Sequence, residues 1–298
     1  MQKQLLRLTI AALTVACLPG AGAEASKKPA FAVEVTGKGK PMILIPGLSS
    51  SGEVWNGTVA HFKDKYQCHV LTLAGFAGQP RIEGPFLETV RTELAAYIRS
   101  HKLGKPIIVG HSLGGFLALW LASSEPGLAG PLVIVDSLPF LPAVYNPAAT
   151  PESSKPMAEQ MRAGMAAGKE AFLKQSEVSV KSMVTKPEDV ATVMGWATKT
   201  DPVAAGDAMY DMFTHDLRDD IASIDSPALV LGTWIAYKEY ATREQVEANF
   251  KTQYAKLKNA KIMLADNARH FIMLDDPNWL MAQMDAFLAE PKTGSKAR

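Results

Sequence analysis

Cysteine is nearly absent from this chain: two occur in 298 residues, Cys17 and Cys68. A chain so poor in cysteine has no disulfide framework and must draw its stability from a core. An excess of charge of one sign is also missing. Lys and Arg total 31 against 30 Asp and Glu, for a net charge of +1 and a pI of about 7.7. That balance gives no electrostatic footprint for nucleic acid and points to a small neutral or mildly polar partner. The longest apolar run, near the N-terminus, falls short of the ~20 residues of a membrane span. Neither internal repeats nor low-complexity tracts occur, and no His/Cys/Asp spacing suggests a metal site. No cofactor is expected. What the chain does have is apolar content: 47% of residues are hydrophobic and 20% charged. This composition excludes disorder and fibrous classes and supports one large domain or a domain with an insertion.

The first residues read as a targeting segment. Lys3 and Arg7 form a positive n-region, LTIAALTVACLPG a short apolar stretch, and Ala21-Gly22-Ala23 a small-x-small cleavage site before Glu24. This is the layout of a secretory signal peptide over residues 1–23, and the mature chain is expected to be periplasmic or secreted, with no stable membrane insertion. A lipoprotein signal with Cys17 as acceptor is the weaker variant, because Thr14 stands where such signals carry Leu. Cleavage removes two basic residues and no acidic one, turning the charge from +1 to −1. It also leaves Cys68 as the sole cysteine. Cys68 opens the apolar run CHVLTLAG and reads as a small core residue.

From residue 31 onward, short apolar runs alternate with helix-like stretches. FAVEV (31–35), PMILIPG (41–47), HVLTLAG (69–75), PIIVGHS (106–112), PLVIVDS (131–137), ALVLGTW (228–234) and KIMLA (261–265) read as strands. Helical patterns cover 53–63, 86–103, 113–124, 242–258 and 278–289. Strands buried on both faces and alternating with helices predict an α/β fold with a mostly parallel sheet. The alternation stops between 138 and 226, a stretch rich in Met, Ala and charge, which is expected to form a helical cap insertion. Residues 24–137 and 227–298 then make up the core, with the polar tail PKTGSKAR frayed. Met183, Met194, Trp196, Met209, Met212 and Phe213 within the insertion are expected mainly to pack the cap onto the core.

One motif carries chemistry. Gly110-His111-Ser112-Leu113-Gly114 matches G-x-S-x-G where a buried strand turns into a helix. Such a turn lifts the Ser112 hydroxyl above the sheet, and the helix N-terminus favours developing negative charge. A serine hydroxyl needs a base within hydrogen-bond reach. Of the six histidines, His270 fits best: it follows a late strand, lies in the short loop DNARH and precedes the final helix. His111 adjoins the serine, but the turn is expected to point it elsewhere. The Leu113 N–H, directly after the serine, is a candidate oxyanion donor.

The elbow (110–115), PMILIPGLSSSGEVW and ARHFIMLDDPNWL together resemble the α/β-hydrolase superfamily across most of residues 31–290. The resemblance implies a mostly parallel eight-stranded sheet, a cap at the insertion and a Ser–acid–His triad at the strand ends. It also implies that the acid follows one of the two central strands after the elbow. Asp136, at the end of LVIVDSLP, is the first choice; Glu239, beyond LVLGTWIAYKEY, is the alternative and Asp266 a third. By resemblance the Leu48 N–H is the second oxyanion donor, in a loop that reads Pro46-Gly47 where many relatives have His-Gly. The implied activity is a serine hydrolase cleaving small or medium carboxylic esters through an acyl-enzyme. An amidase or aminopeptidase, a C–C bond hydrolase, and a ligand-binding protein with weakened catalysis are the alternatives. Haloalkane dehalogenation is disfavoured, because it needs a carboxylate where this chain has Ser112.

Overall fold

The computed structural model describes residues 28–290; the leader expected over 1–23 and the tail 291–298 lie outside the described residues. In chain order the elements begin with β1 (Phe31–Gly37), β2 (Lys40–Ile45), α1 (Asn56–Phe62), β3 (Tyr66–Leu73), α2 (Phe86–Ser100), β4 (Ile107–His111), α3 (Leu113–Ser124) and β5 (Leu132–Val135). Four helices follow: α4 (Pro151–Ala166), α5 (Lys169–Met183), α6 (Pro187–Ala197) and α7 (Pro202–Thr214). The chain then returns through β6 (Ala228–Thr233), α8 (Arg243–Gln253), β7 (Ala260–Ala265), the single turn α9 (Ile272–Asp275) and α10 (Pro277–Ala289).

The strands form one sheet in the order β1-β3-β2-β4-β5-β6-β7. Every neighbouring pair is parallel except β1 with β3. The sheet therefore has seven strands among the described residues, not the eight that the resemblance implied. At the N-terminal edge β1 pairs directly with β3, and no described residue forms a strand before it. The strand before Asp136 is accordingly the fifth, and the one before Glu239 the sixth.

Side chains alternate along each strand, so each central strand feeds two cores. Ile43, Ile45, Ile108, Leu132, Ile134 and Val230 face α2 and α3, whereas Met42, Leu44, Ile107, Val109, Val133, Val135, Leu229 and Leu231 face α1 and α10. Burial on both faces explains the continuous apolar runs. Helix α3 is buried from Leu113 to Ala122, because it lies between the sheet and the insertion.

The insertion is fastened to the sheet by named bonds. The Asp211 carboxylate of α7 accepts the Leu87 N–H at the start of α2 at 2.8 Å. Trp196 Nε1–H of α6 donates to Glu53 at 2.9 Å, and the Gly78 and Asp201 amides exchange backbone bonds with Lys199 and Gly75. Trp196, Met212 and Phe213 are buried, and Met183, Met194 and Met209 pack partly buried against the two cores.

Candidate active site

Successive parallel strands deliver the candidate residues to one edge. Ser112 follows β4, Asp136 follows β5 and Thr233 ends β6, while His270 lies five residues beyond β7. The ladder carries on through them: the Ser112 N–H donates to the Val135 carbonyl at 2.9 Å, and the Asp136 N–H to the Leu231 carbonyl at 2.6 Å.

Ser112 adopts φ 52°, ψ −120°, a left-handed conformation uncommon for a residue with a Cβ. Flanking glycines make the turn possible. A Cβ on Gly110 would sit 2.2 Å from the Gly114 carbonyl oxygen, and one on Gly114 would sit 2.3 Å from that of Ile45. Although Ser112 occupies the N-cap position of α3, its side chain makes no capping bond, so the hydroxyl is not spent on its own helix.

Nδ1–H of His270 donates to Oδ2 of Asp136 at 2.6 Å. A carboxylate accepts only, so Nδ1 carries a proton; in the neutral ring this leaves the lone pair on Nε2, the tautomer that a base requires. Asp136 is itself clamped. Its Oδ1 accepts the Thr233 N–H at 2.9 Å and its Oδ2 the Thr233 hydroxyl at 3.1 Å. Its backbone is also left-handed, at φ 44°, which turns the carboxylate off the strand and toward His270. The side chain is 8% exposed against 19% for His270, so this pair is largely withdrawn from water.

The other two acids do not meet this imidazole. Asp266 is exposed and accepts from Trp234 Nε1–H at 2.9 Å and Arg243 Nε–H at 2.8 Å, contacts that hold its carboxyl below the ordinary value. Glu239 lies exposed beyond the short 3-10 turn Ile235–Tyr237 that follows β6.

Leu113 opens α3, where the first N–H groups have no intrahelical carbonyl to bond. The loop bearing Leu48 lies against the elbow: a Cβ on Gly47 would come within 3.2 Å of the Ser112 Cβ. Ser49 in that loop has φ 57°, and its carbonyl accepts from the Thr200 hydroxyl of the insertion at 3.3 Å. Among the described residues, no group of three or more His, Cys, Asp or Glu could hold a metal, and no helix is long and apolar enough to cross a membrane.

Two contributors escape sequence reasoning. Thr233 ends an apolar strand and gives no sign of binding a carboxylate 97 positions away. His111, expected to point elsewhere, instead packs its ring 4.6 Å from that of His270 and bonds its carbonyl. Its neighbour Ser112 is the only hint in the sequence.

A parallel sheet that collects a serine elbow and a bonded His–Asp pair at one edge, beneath a helical insertion, is the α/β-hydrolase architecture. The sequence pattern of the alpha/beta hydrolase family matches residues 42–283, and the chain belongs to that family. The chain is similar to the pimeloyl-[acyl-carrier protein] methyl ester esterase of Vibrio cholerae, at 31% identity over 106 residues, 36% of this chain and 40% of that protein. It thus spans about two fifths of the length of that curated relative. Among solved structures it resembles the enol-lactonase of Burkholderia xenovorans LB400 (TM-score 0.71, 17% identity, 87% of this chain and 96% of that one). It also resembles a bromoperoxidase of Bacillus anthracis (TM-score 0.72, 19% identity, 87% and 95%). At these identities the structural likeness is one of fold.

Proposed function

We propose that the protein is an exported serine hydrolase of small or medium carboxylic esters. Ser112 attacks the ester carbonyl, and His270 Nε2 takes its proton and later passes it to the leaving alcohol. Asp136 holds the imidazole and stabilises its protonated form. The N–H groups of Leu113 and Leu48 receive the oxyanion. Water, deprotonated by the same histidine, then releases the acid and restores Ser112. The observation that carries this reading is the 2.6 Å His270–Asp136 bond beside an elbow whose hydroxyl is left uncapped. The methyl ester esterase of Vibrio cholerae supports the ester class.

A fluorophosphonate probe tests activation of Ser112 without a guess at substrate. Wild type should label, Ser112→Ala should not, and Asp136→Asn should lose activity by a factor on the order of 10⁴. Near-normal labelling of Asp136→Asn would remove Asp136 from the role. Hydrolysis of p-nitrophenyl esters of graded chain length then ranks acyl groups, and inertness to all of them would sink the ester assignment. Export is tested by mass spectrometry of the secreted or periplasmic protein: a chain starting at Glu24 is expected, and one starting at Met1 refutes cleavage.

A further inference from the structure

His111 is fully buried, yet it is a titratable, polar residue at the end of a strand whose other members are Ile, Val and Gly. Its Nε2–H donates to the main-chain carbonyl of His270 at 3.0 Å, and its ring lies 4.6 Å from the His270 ring and 4.7 Å from that of Phe271. The other ring nitrogen, Nδ1, is buried without a hydrogen-bond partner and faces Gly47, where a Cβ would approach it to 2.9 Å. A buried acceptor left unpaired costs stability, so packing alone gives no reason for a histidine here. Burial and the neighbouring His270 both push its pKa well below the ordinary value, so the ring stays neutral.

Three consecutive residues of the loop that carries His270 each have a main-chain group bonded to a different part of the molecule. The Arg269 N–H donates to Asp275 at 2.8 Å, and the Phe271 N–H donates to the Met183 carbonyl at 3.3 Å. Between them, the His270 carbonyl accepts from His111. The first bond comes from α9 and the second from the end of α5. Only the third comes from the elbow that carries Ser112. One residue is therefore covalently joined to the candidate nucleophile and hydrogen-bonded to the backbone of its candidate base. Proton transfer between such groups requires a separation of roughly 2.6–3.2 Å, and small misplacements cost large factors in rate.

We infer that His111 is a positioning residue, which ties the His270 loop to the serine elbow through its Nε2–H and so fixes the spacing of Ser112 and His270. The inference rests on the hydrolase reading for its kinetic consequence, but its geometric consequence stands apart from it.

The test compares His111→Leu, His111→Gln and His111→Asn in the full mature chain. Leu removes the donor. Gln can carry an amide N–H to the place of Nε2, whereas the shorter Asn stops near that of Nδ1. For a p-nitrophenyl ester and for the fluorophosphonate probe, Leu and Asn should lower kcat and the labelling rate by about ten- to a hundredfold. KM should stay within about twofold, because no substrate contact is lost. Gln should recover most of the rate. Equal activity of Gln and Asn, or a folded His111→Leu that labels like wild type, would overturn the inference; should His111→Leu fail to fold, the Gln and Asn pair decides alone. A folded wild type that neither labels nor hydrolyses esters would sink the hydrolase reading instead. The positioning role would then be read in crystal structures of wild type and His111→Asn. The separation of Ser112 Oγ from His270 Nε2 should change in the variant, and an unchanged separation would refute the role.

Discussion

At the scale of single residues, the elbow is decided by atoms that are missing. Gly114 lets the start of α3 lie directly on the end of β2, where the nearest atoms to any added Cβ are the carbonyl oxygens of Ile45 and Pro46 at 2.3 and 2.7 Å. Backbone cannot swing aside as a side-chain tip can. Gly114→Ala should therefore destabilise by about 1–3 kcal/mol and abolish fluorophosphonate labelling, as read by urea denaturation and in-gel fluorescence. Gly164, in the last turn of α4, has nothing within 4 Å of its Cβ position, and Gly164→Ala should stabilise by about 0.5–1 kcal/mol. Of the candidate site, the elbow was the most legible part, since spacing within five residues announces a tight turn. Asp136 could be named only beside rivals, because the carboxylate that reaches the imidazole depends on which loop folds back. Thr233 left no trace and His111 only its place beside Ser112, because their partners lie 97 and 159 positions away.

Elements were legible wherever a local pattern decides them. The seven apolar runs became the seven strands, while ends were displaced where capping or packing intervenes. The pattern over 242–258 stays amphipathic past Gln253, yet α8 stops there and Tyr254 turns inward to donate its hydroxyl to the Ser137 carbonyl at 2.8 Å. The single turn α9 is too short to show periodicity and was not foreseen. Between elements, the contact of α7 with α2 depends on pH. Asp211 is buried, and desolvation raises its pKa despite the Leu87 N–H that it accepts. The folded chain thus holds the proton more tightly than the unfolded one. The penalty is absent below the ordinary carboxyl value of 3.8 and grows as pH rises through the raised one. Asp211→Asn keeps an acceptor for Leu87 and removes the buried charge. Its melting temperature should exceed that of wild type by about 2 °C at pH 7, with the difference vanishing near pH 3. A lower value at pH 7 would show that the charge itself is needed.

For the whole molecule, two buried histidines contribute to the acid side of the stability curve. Burial lowers the pKa of both His111 and His69 below the ordinary 6.5, and the ring of His270 lowers the first further. Below pH 6.5 the unfolded chain takes up protons that the folded chain refuses. Their contribution is therefore complete above that value and lost as pH falls, by at most about 1.4 kcal/mol per pH unit for each group. The urea midpoint should be lower at pH 5.5 than at pH 7.5, and the drop should be smaller in His111→Gln. At this scale the alternation of strand and helix made the sheet readable in advance. The number of strands was not, because the eighth came from likeness to relatives and no residue of this chain called for it.

Cys68, the only cysteine left if the chain is cleaved before Glu24, has a practical consequence. Its thiol is fully buried, and desolvation pushes its pKa up to about 11, so at neutral pH it offers almost no thiolate to a maleimide. In a chain beginning at Glu24 no other sulfhydryl exists. A cysteine introduced at Val178, which stands 71% exposed on α5, would then be the single reactive point on the protein. A fluorophore placed there would report on α5 alone, with no background to subtract.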